Sequence, residues 1–249
     1  MSKILMYHGI VPEMGSGFVD RERGADLYDV KIDAFKEHLN WLQHNSYRFT
    51  VNLNADNKNI VLTFDDGEKN NFELVVPFLK EIKASAYFFV IVDRIGRDGY
   101  LSWEDLAVMR MVGFNIGSHG LTHKILTGLS TEVLFEELTK SKFMLESKLR
   151  CSIDSISIPR GFYDDKVIAA AKKAGYKQIF VSDKRVGFSE GCFERIAVKG
   201  VWTIEDFVMA VTGKIGFKMK LFTMIKTLVR RVFGDRGYDK IRGMILKKR

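Results

Sequence analysis

Apolar and polar positions along this 249-residue chain follow two periods in turn. Short apolar runs recur, and between them the apolar positions repeat every three to four residues. Lys3–His8 is the first run and predicts an opening strand. From Lys31 to Gln43, Ile32, Phe35, Leu39 and Leu42 fall at helical spacing, with Asp33 early, where helix starts favour an acid. Residues 52–59 are polar and predict a turn region before a buried strand, Ile60–Phe64. After Gly67, the segment Asn71–Lys83 returns to helical spacing through Phe72, Val75, Val76, Leu79 and Ile82, and Ala86–Val92 predicts the next strand. Ser102 reads as the N-cap of a helix to about Val112, with Asp105 in the capping-box place. Gly113 stops that helix and Phe114–Gly117 predicts a strand.

The same rhythm continues. Ser130 opens a long helix to about Leu149, Ser155–Ile158 predicts a strand, and Asp164–Ala174 a helix ended by Gly175. Gln178–Val181 and Phe193–Val198 predict two further strands, and Thr203 caps one more helix. Residues 12–24, rich in Gly, Asp, Glu and Arg, predict a surface loop. Strands alternating with helices of this length point to the α/β class, with parallel βαβ units in a sheet or barrel wrapped by helices. No repeat and no Pro- or Ser-rich linker divides the first 210 residues. The expected organisation is one domain, 1–210, followed by a tail, 211–249.

Composition changes this picture at one place. Apolar residues make up 46% of the chain and mean hydropathy is -0.06, ordinary values for a soluble globular protein. The net charge of +8 is concentrated: residues 211–249 hold twelve Lys or Arg and two Asp, so residues 1–210 carry -2. That removes most of the case for a nucleic-acid-binding core. Within the tail, residues 216–233 place Phe217, Leu221, Met224, Ile225, Leu228 and Val232 on one helical face and Lys220, Lys226, Arg230 and Arg231 on the other. Such a helix suits an anionic membrane surface, and equally a berth against the domain with its charges in solvent. The start of the chain lacks the apolar core of a signal peptide, so the expected location is cytoplasmic, with the tail offering peripheral attachment at the inner membrane face. Cys151 and Cys192 form no CxxC pair and offer neither a disulfide framework nor a cysteine zinc site.

Two segments carry candidate chemistry. Thr63-Phe64-Asp65-Asp66-Gly67 ends an apolar strand with two carboxylates, and Ser118-His119-Gly120-Leu121-Thr122-His123 sets two imidazoles four residues apart. Both follow strands, where active groups of α/β folds gather. On a helix, His119 and His123 would lie side by side. One carboxylate and two histidines suffice for a divalent metal with open positions, leaving the second carboxylate as a base.

These two segments, in this order, resemble the first motifs of the polysaccharide deacetylases (carbohydrate esterase family 4). Met6-Tyr7-His8-Gly9-Ile10 is similar to starts in one branch of that family, and the resemblance covers about residues 3–210. It implies a distorted (β/α) barrel that removes acetyl groups from sugars with a divalent metal, often zinc. Asp65 would be the general base, and Asp66, His119 and His123 the metal ligands. The partner implied is an N-acetylated carbohydrate of an envelope polysaccharide or its precursor, and no nucleic acid.

Two departures stand out. In Ile156-Ser157-Ile158-Pro159-Arg160-Gly161 the family's base-contacting arginine falls at Ser157, which leaves that role vacant. Arg160 takes the place of an aromatic residue at the oxyanion site and reads either as a substrate or oxyanion contact or as a rim arginine. No histidine follows His123, so the late histidine that serves the family as general acid is missing, and Glu194-Arg195-Ile196-Ala197-Val198 stands there instead. His8 can substitute only if the first strand ends at the site. A degenerate carbohydrate-binding relative with little turnover is therefore the alternative to a deacetylase.

Overall fold

The computed structural model describes residues 1–13, 21, 24–182, 188–213 and 237. Most of the expected loop at 12–24 and nearly all of the tail lie outside the described residues.

Eight parallel strands form an almost closed ring. They are β1 Lys3–Tyr7, β5 Asn59–Phe64, β6 Ala86–Val90, β7 Asn115–Ser118, β8 Ser155–Ser157, β9 Gln178–Val181, β10 Cys192–Glu194 and β11 Ile196–Ala197. Their order is β10-β9-β8-β7-β6-β5-β1-β11. The two ends of this row are consecutive pieces of chain separated by Arg195 alone. Where one strand, Phe193–Val198, was expected, the chain leaves β9 and joins β1, pairing Cys192 with Ile179 and then Leu5 with Ile196. The ring closes at that seam. A short β4, Arg48–Phe49, adds to β5, and β2, Ile10–Val11, pairs with β3, Val30–Lys31, outside the ring.

Helices α1 Ile32–His44, α2 Val76–Glu81, α3 Trp103–Met111, α4 Thr131–Leu149, α5 Asp165–Lys173 and α6 Ile204–Thr212 cover the outside. Alternation along each strand sorts side chains between the two surfaces of the ring. Leu5, Tyr7, Leu62, Phe64, Phe88 and Ile156 face the helices and share one core with Phe35, Leu39, Leu106, Leu138 and Val167. Ile4, Val61, Tyr87, Phe89 and Phe180 face inward and fill the lower barrel with Leu53. Gly117 makes room there, because a Cβ on it would meet Phe89 Cδ1 at 2.5 Å.

Local signals placed the helix ends well. Ser102 Oγ accepts from Asp105 N at 3.1 Å while Asp105 Oδ2 accepts from Ser102 N at 2.8 Å, a reciprocal capping box. Thr203 and Asp206 repeat it on α6, which runs across the expected division at residue 210. The segment expected as one helix at 71–83 opens instead with a π turn, Asn71–Val75. No described helix is long and apolar enough to cross a membrane.

Candidate functional site at the barrel mouth

Positions 61 and 63 of β5 point into the barrel, and position 65 just beyond it continues that alternation, so Asp65 belongs to the interior. The register holds one residue past the strand, since Asp65 N donates to Tyr7 O at 2.9 Å. Asp66 departs at once, with a left-handed φ of 70° that aspartate tolerates better than most side chains. His119 likewise extends β7, its N–H donating to Val90 O at 2.8 Å. The histidines do meet, with ring centroids 4.8 Å apart, but not on a helix. Gly120 at φ 78° and His123 at φ 61° exclude helical geometry, and a tight turn brings the rings together. Buried Glu137 of α4 holds that turn by accepting from Thr122 N at 3.0 Å.

Asp66, His119 and His123 form a donor set suited to a cation. Asp66 Oδ1 lies 3.4 Å from His119 Nε2 and 3.6 Å from His123 Nε2, and the two nitrogens are 3.1 Å apart. Tetrahedral ligands at zinc–nitrogen distances are separated by roughly 3.3 Å, so three corners are in place. His119 Nδ1 lies 2.9 Å from Ser157 O, which can only accept; the proton is therefore on Nδ1, and Nε2 presents its lone pair. Burial pushes the His119 pKa down to about 4, which keeps the ring neutral. Asp66 Oδ1 is buried without a hydrogen-bond partner among the described residues. A metal would resolve that orphan.

Asp65 is paired differently. Arg195 Nη1 and Nη2 donate to its two oxygens at 2.7 and 2.8 Å, a bidentate contact, and Ser157 Oγ donates to Oδ2 at 3.0 Å. The role that seemed vacant at Ser157 is filled from the seam. Ser157 is small enough to leave space for the Arg195 guanidinium, and its Oγ accepts from Nη2 at 2.7 Å. Burial alone would raise the Asp65 pKa, but Arg195 and then His119 overcome it and hold the carboxyl well below the usual carboxylate range. Arg195 in turn rests over the rings of Phe89 and Phe180, 5.8 and 5.9 Å from their centroids.

A cavity of about 90 Å³ opens above these groups, lined by His8, Tyr28, Asp65, Asp66, His119, His123 and Arg160 among others. The first strand does end at the site. His8 Nδ1 is buried with no hydrogen-bond partner among the described residues, and the His8 ring packs 4.7 Å from Tyr28. Burial lowers its pKa, against the pull of Asp66 and Asp65. Arg160 reaches the cavity wall with a left-handed φ of 57°, while the side-chain contacts on Asp65 come from Arg195, Ser157 and His119. The sequence hid the pairing of Arg195 with Asp65. The signal available was an arginine, next to Glu194, inside the predicted strand Phe193–Val198.

The model of the polysaccharide deacetylase family matches residues 52–179. The Bacillus subtilis protein YxkH is 30% identical over 184 residues, covering 70% of this chain and 62% of that protein. A peptidoglycan-N-acetylglucosamine deacetylase of Bacillus cereus is 32% identical over 126 residues, half of this chain and 57% of its own length. The chain thus spans about six tenths of the length of these relatives. Among solved structures, the Streptococcus pyogenes deacetylase PplD in complex with acetate superposes with a TM-score of 0.72 at 24% identity, covering 84% of this chain and 97% of that one.

Proposed function

This chain belongs to the polysaccharide deacetylase family, and from that premise we propose a metal-dependent hydrolase that removes N-acetyl groups from a sugar of an envelope polysaccharide or its precursor. One observation carries the reading: an ionised carboxylate, Asp65, and a three-donor metal set face the same small cavity. The Bacillus cereus relative's name points to N-acetylglucosamine as the sugar.

Asp66, His119 and His123 would hold the cation. When bound, it supplies Lewis acidity that polarises an acetyl carbonyl and makes a water more acidic. Asp65 takes the proton of the attacking water. Arg195 keeps that carboxylate ionised and fixes both its oxygens, at the expense of intrinsic basicity. His8, on the same cavity, would pass on to the leaving sugar amine the proton that Asp65 takes from the water, in place of the missing late histidine. Arg195 on Asp65 and His8 in the cavity favour this reading over a degenerate binding module.

Acetate release from N-acetylglucosamine oligomers, with metal content measured alongside, tests this reading. Asp66→Ala should lose metal and activity together. His8→Gln should keep its metal and lose about 10²–10⁴ in kcat. Full metal content and activity in Asp66→Ala would overturn the assignment.

A further inference from the structure

Three parts of the site, distant in sequence, meet at one buried guanidinium. Arg21 Nη1 and Nη2 donate to the two oxygens of Asp29 at 2.7 and 2.5 Å, and Nε donates to Glu68 Oε1 at 2.8 Å. The Arg21 side chain is 8% exposed, Asp29 1% and Glu68 2%. Neither carboxylate takes part in the chemistry above, yet each adjoins it. Asp29 follows Tyr28, the ring against His8, and Glu68 stands two residues after Asp66.

Gly9, next to His8, closes the third side. A Cβ there would come within 2.4 Å of Asp29 Oδ1, 2.7 Å of Glu68 Oε2 and 2.9 Å of Arg21 Nη2. Only glycine lets the backbone at His8 approach this cluster. Neighbouring amides tie it further: Asn71 Nδ2 donates to His8 O at 3.0 Å, and Asn70 Nδ2 to Glu68 Oε2 at 2.9 Å.

A buried ion pair is weak evidence for stability, because apolar packing can often replace it. Its location matters more here. Gly24, Ala25 and Tyr28 form one wall of the cavity, and the 3-10 turn Ala25–Tyr28 buries none of its residues. The turn itself holds no fully buried side chain, so polar ties share in placing the wall: Gly200 N donates to Leu27 O at 3.1 Å, and the buried Arg21 guanidinium holds Asp29 just beyond the turn.

On the deacetylase reading, we propose that Arg21 is a positioning residue for the sugar chain. It sets the Gly24–Tyr28 wall against His8 and the Asp66 loop, and so governs how tightly an N-acetylated hexosamine chain is held rather than the chemical step. Steady-state kinetics on N-acetylglucosamine oligomers, zinc content and amide hydrogen exchange test this on Arg21→Met and Arg21→Lys. Arg21→Met should raise KM about ten-fold, with kcat within about three-fold of wild type and zinc content unchanged. Amides of residues 24–30 should exchange about ten-fold faster while those of β5 do not change. Arg21→Lys, which keeps the charge, should recover part of both effects. Unchanged exchange at 24–30 overturns the proposal, and so does an unchanged KM with faster exchange. Exchange needs no turnover: if the wild-type protein releases no acetate, the deacetylase reading falls, and the exchange comparison still decides whether Arg21 holds the wall.

Discussion

The two ends of the barrel interior are built from the same strands by the same alternation, and they hold opposite chemistry. At the bottom, Ile4, Val61, Tyr87, Phe89 and Phe180 interlock, with Phe89 and Phe180 centroids 4.9 Å apart. Four residues further along, just past the strand ends, β1 is followed by His8 above Met6, and β5 by Asp65 above Thr63. Arg195 is the boundary, its guanidinium over the aromatic rings and its donors on Asp65. The lower half excludes water and holds a fixed shape. The upper half uses that dry, rigid floor to keep an ionised carboxylate where solvent cannot reorganise around it.

Removing the boundary should break the contrast most severely. Arg195→Met leaves Asp65 buried and uncompensated, which should cost about 3–5 kcal/mol of stability in urea titration along with most of the acetate release. A variant with wild-type stability and turnover would show that the two layers are independent.

A second contrast sharpens the first. Asp65 is buried, ionised and paired, whereas His38 on α1 is buried and neutral. Its Nδ1 lies 3.3 Å from Tyr7 OH and its ring stacks 4.0 Å from that of Phe207 on α6. Burial pushes its pKa down to about 4. The unfolded chain, with a histidine pKa near 6.5, takes up the proton first, so this contribution is complete above about pH 6.5 and is lost as pH falls toward 4. The loss should reach about 3 kcal/mol, and His38→Phe should flatten the pH dependence of the urea midpoint over that range.

The smallest effect belongs to the floor. Ile4→Val should lower stability by about 0.5–1.5 kcal/mol and leave kcat and KM unchanged. A change in kcat would mean that packing at the bottom sets the geometry of Asp65.

Local signals made most of the element order legible. Ser102 with Asp105, Ser130, Asp164 and Thr203 mark helix starts that the structure reproduces, because caps depend on a few adjacent residues. The clustering of Asp66, His119 and His123 was legible for the same reason, as two short segments each following an apolar strand. What stayed hidden depends on which strands become neighbours. Arg195 lies 130 positions from Asp65, and periodicity shows which face of a strand is apolar without showing its partner. The place of His8 at the cavity required knowing that β1 lies beside β5. The turn between His119 and His123 was obscured by spacing that fits a helix, while Gly120 permits another path.

The seam at Arg195 also orders events in time. Asp65 and its guanidinium partner come from the first third and the last quarter of the chain, and they meet only when Cys192–Ala197 shuts the ring against β1. A chain still being synthesised, or clipped before Glu194, carries Asp65 without the group that keeps it charged in a buried setting. The charged Asp65–Arg195 pair is thus a certificate of completed folding, issued by the strands that close the ring.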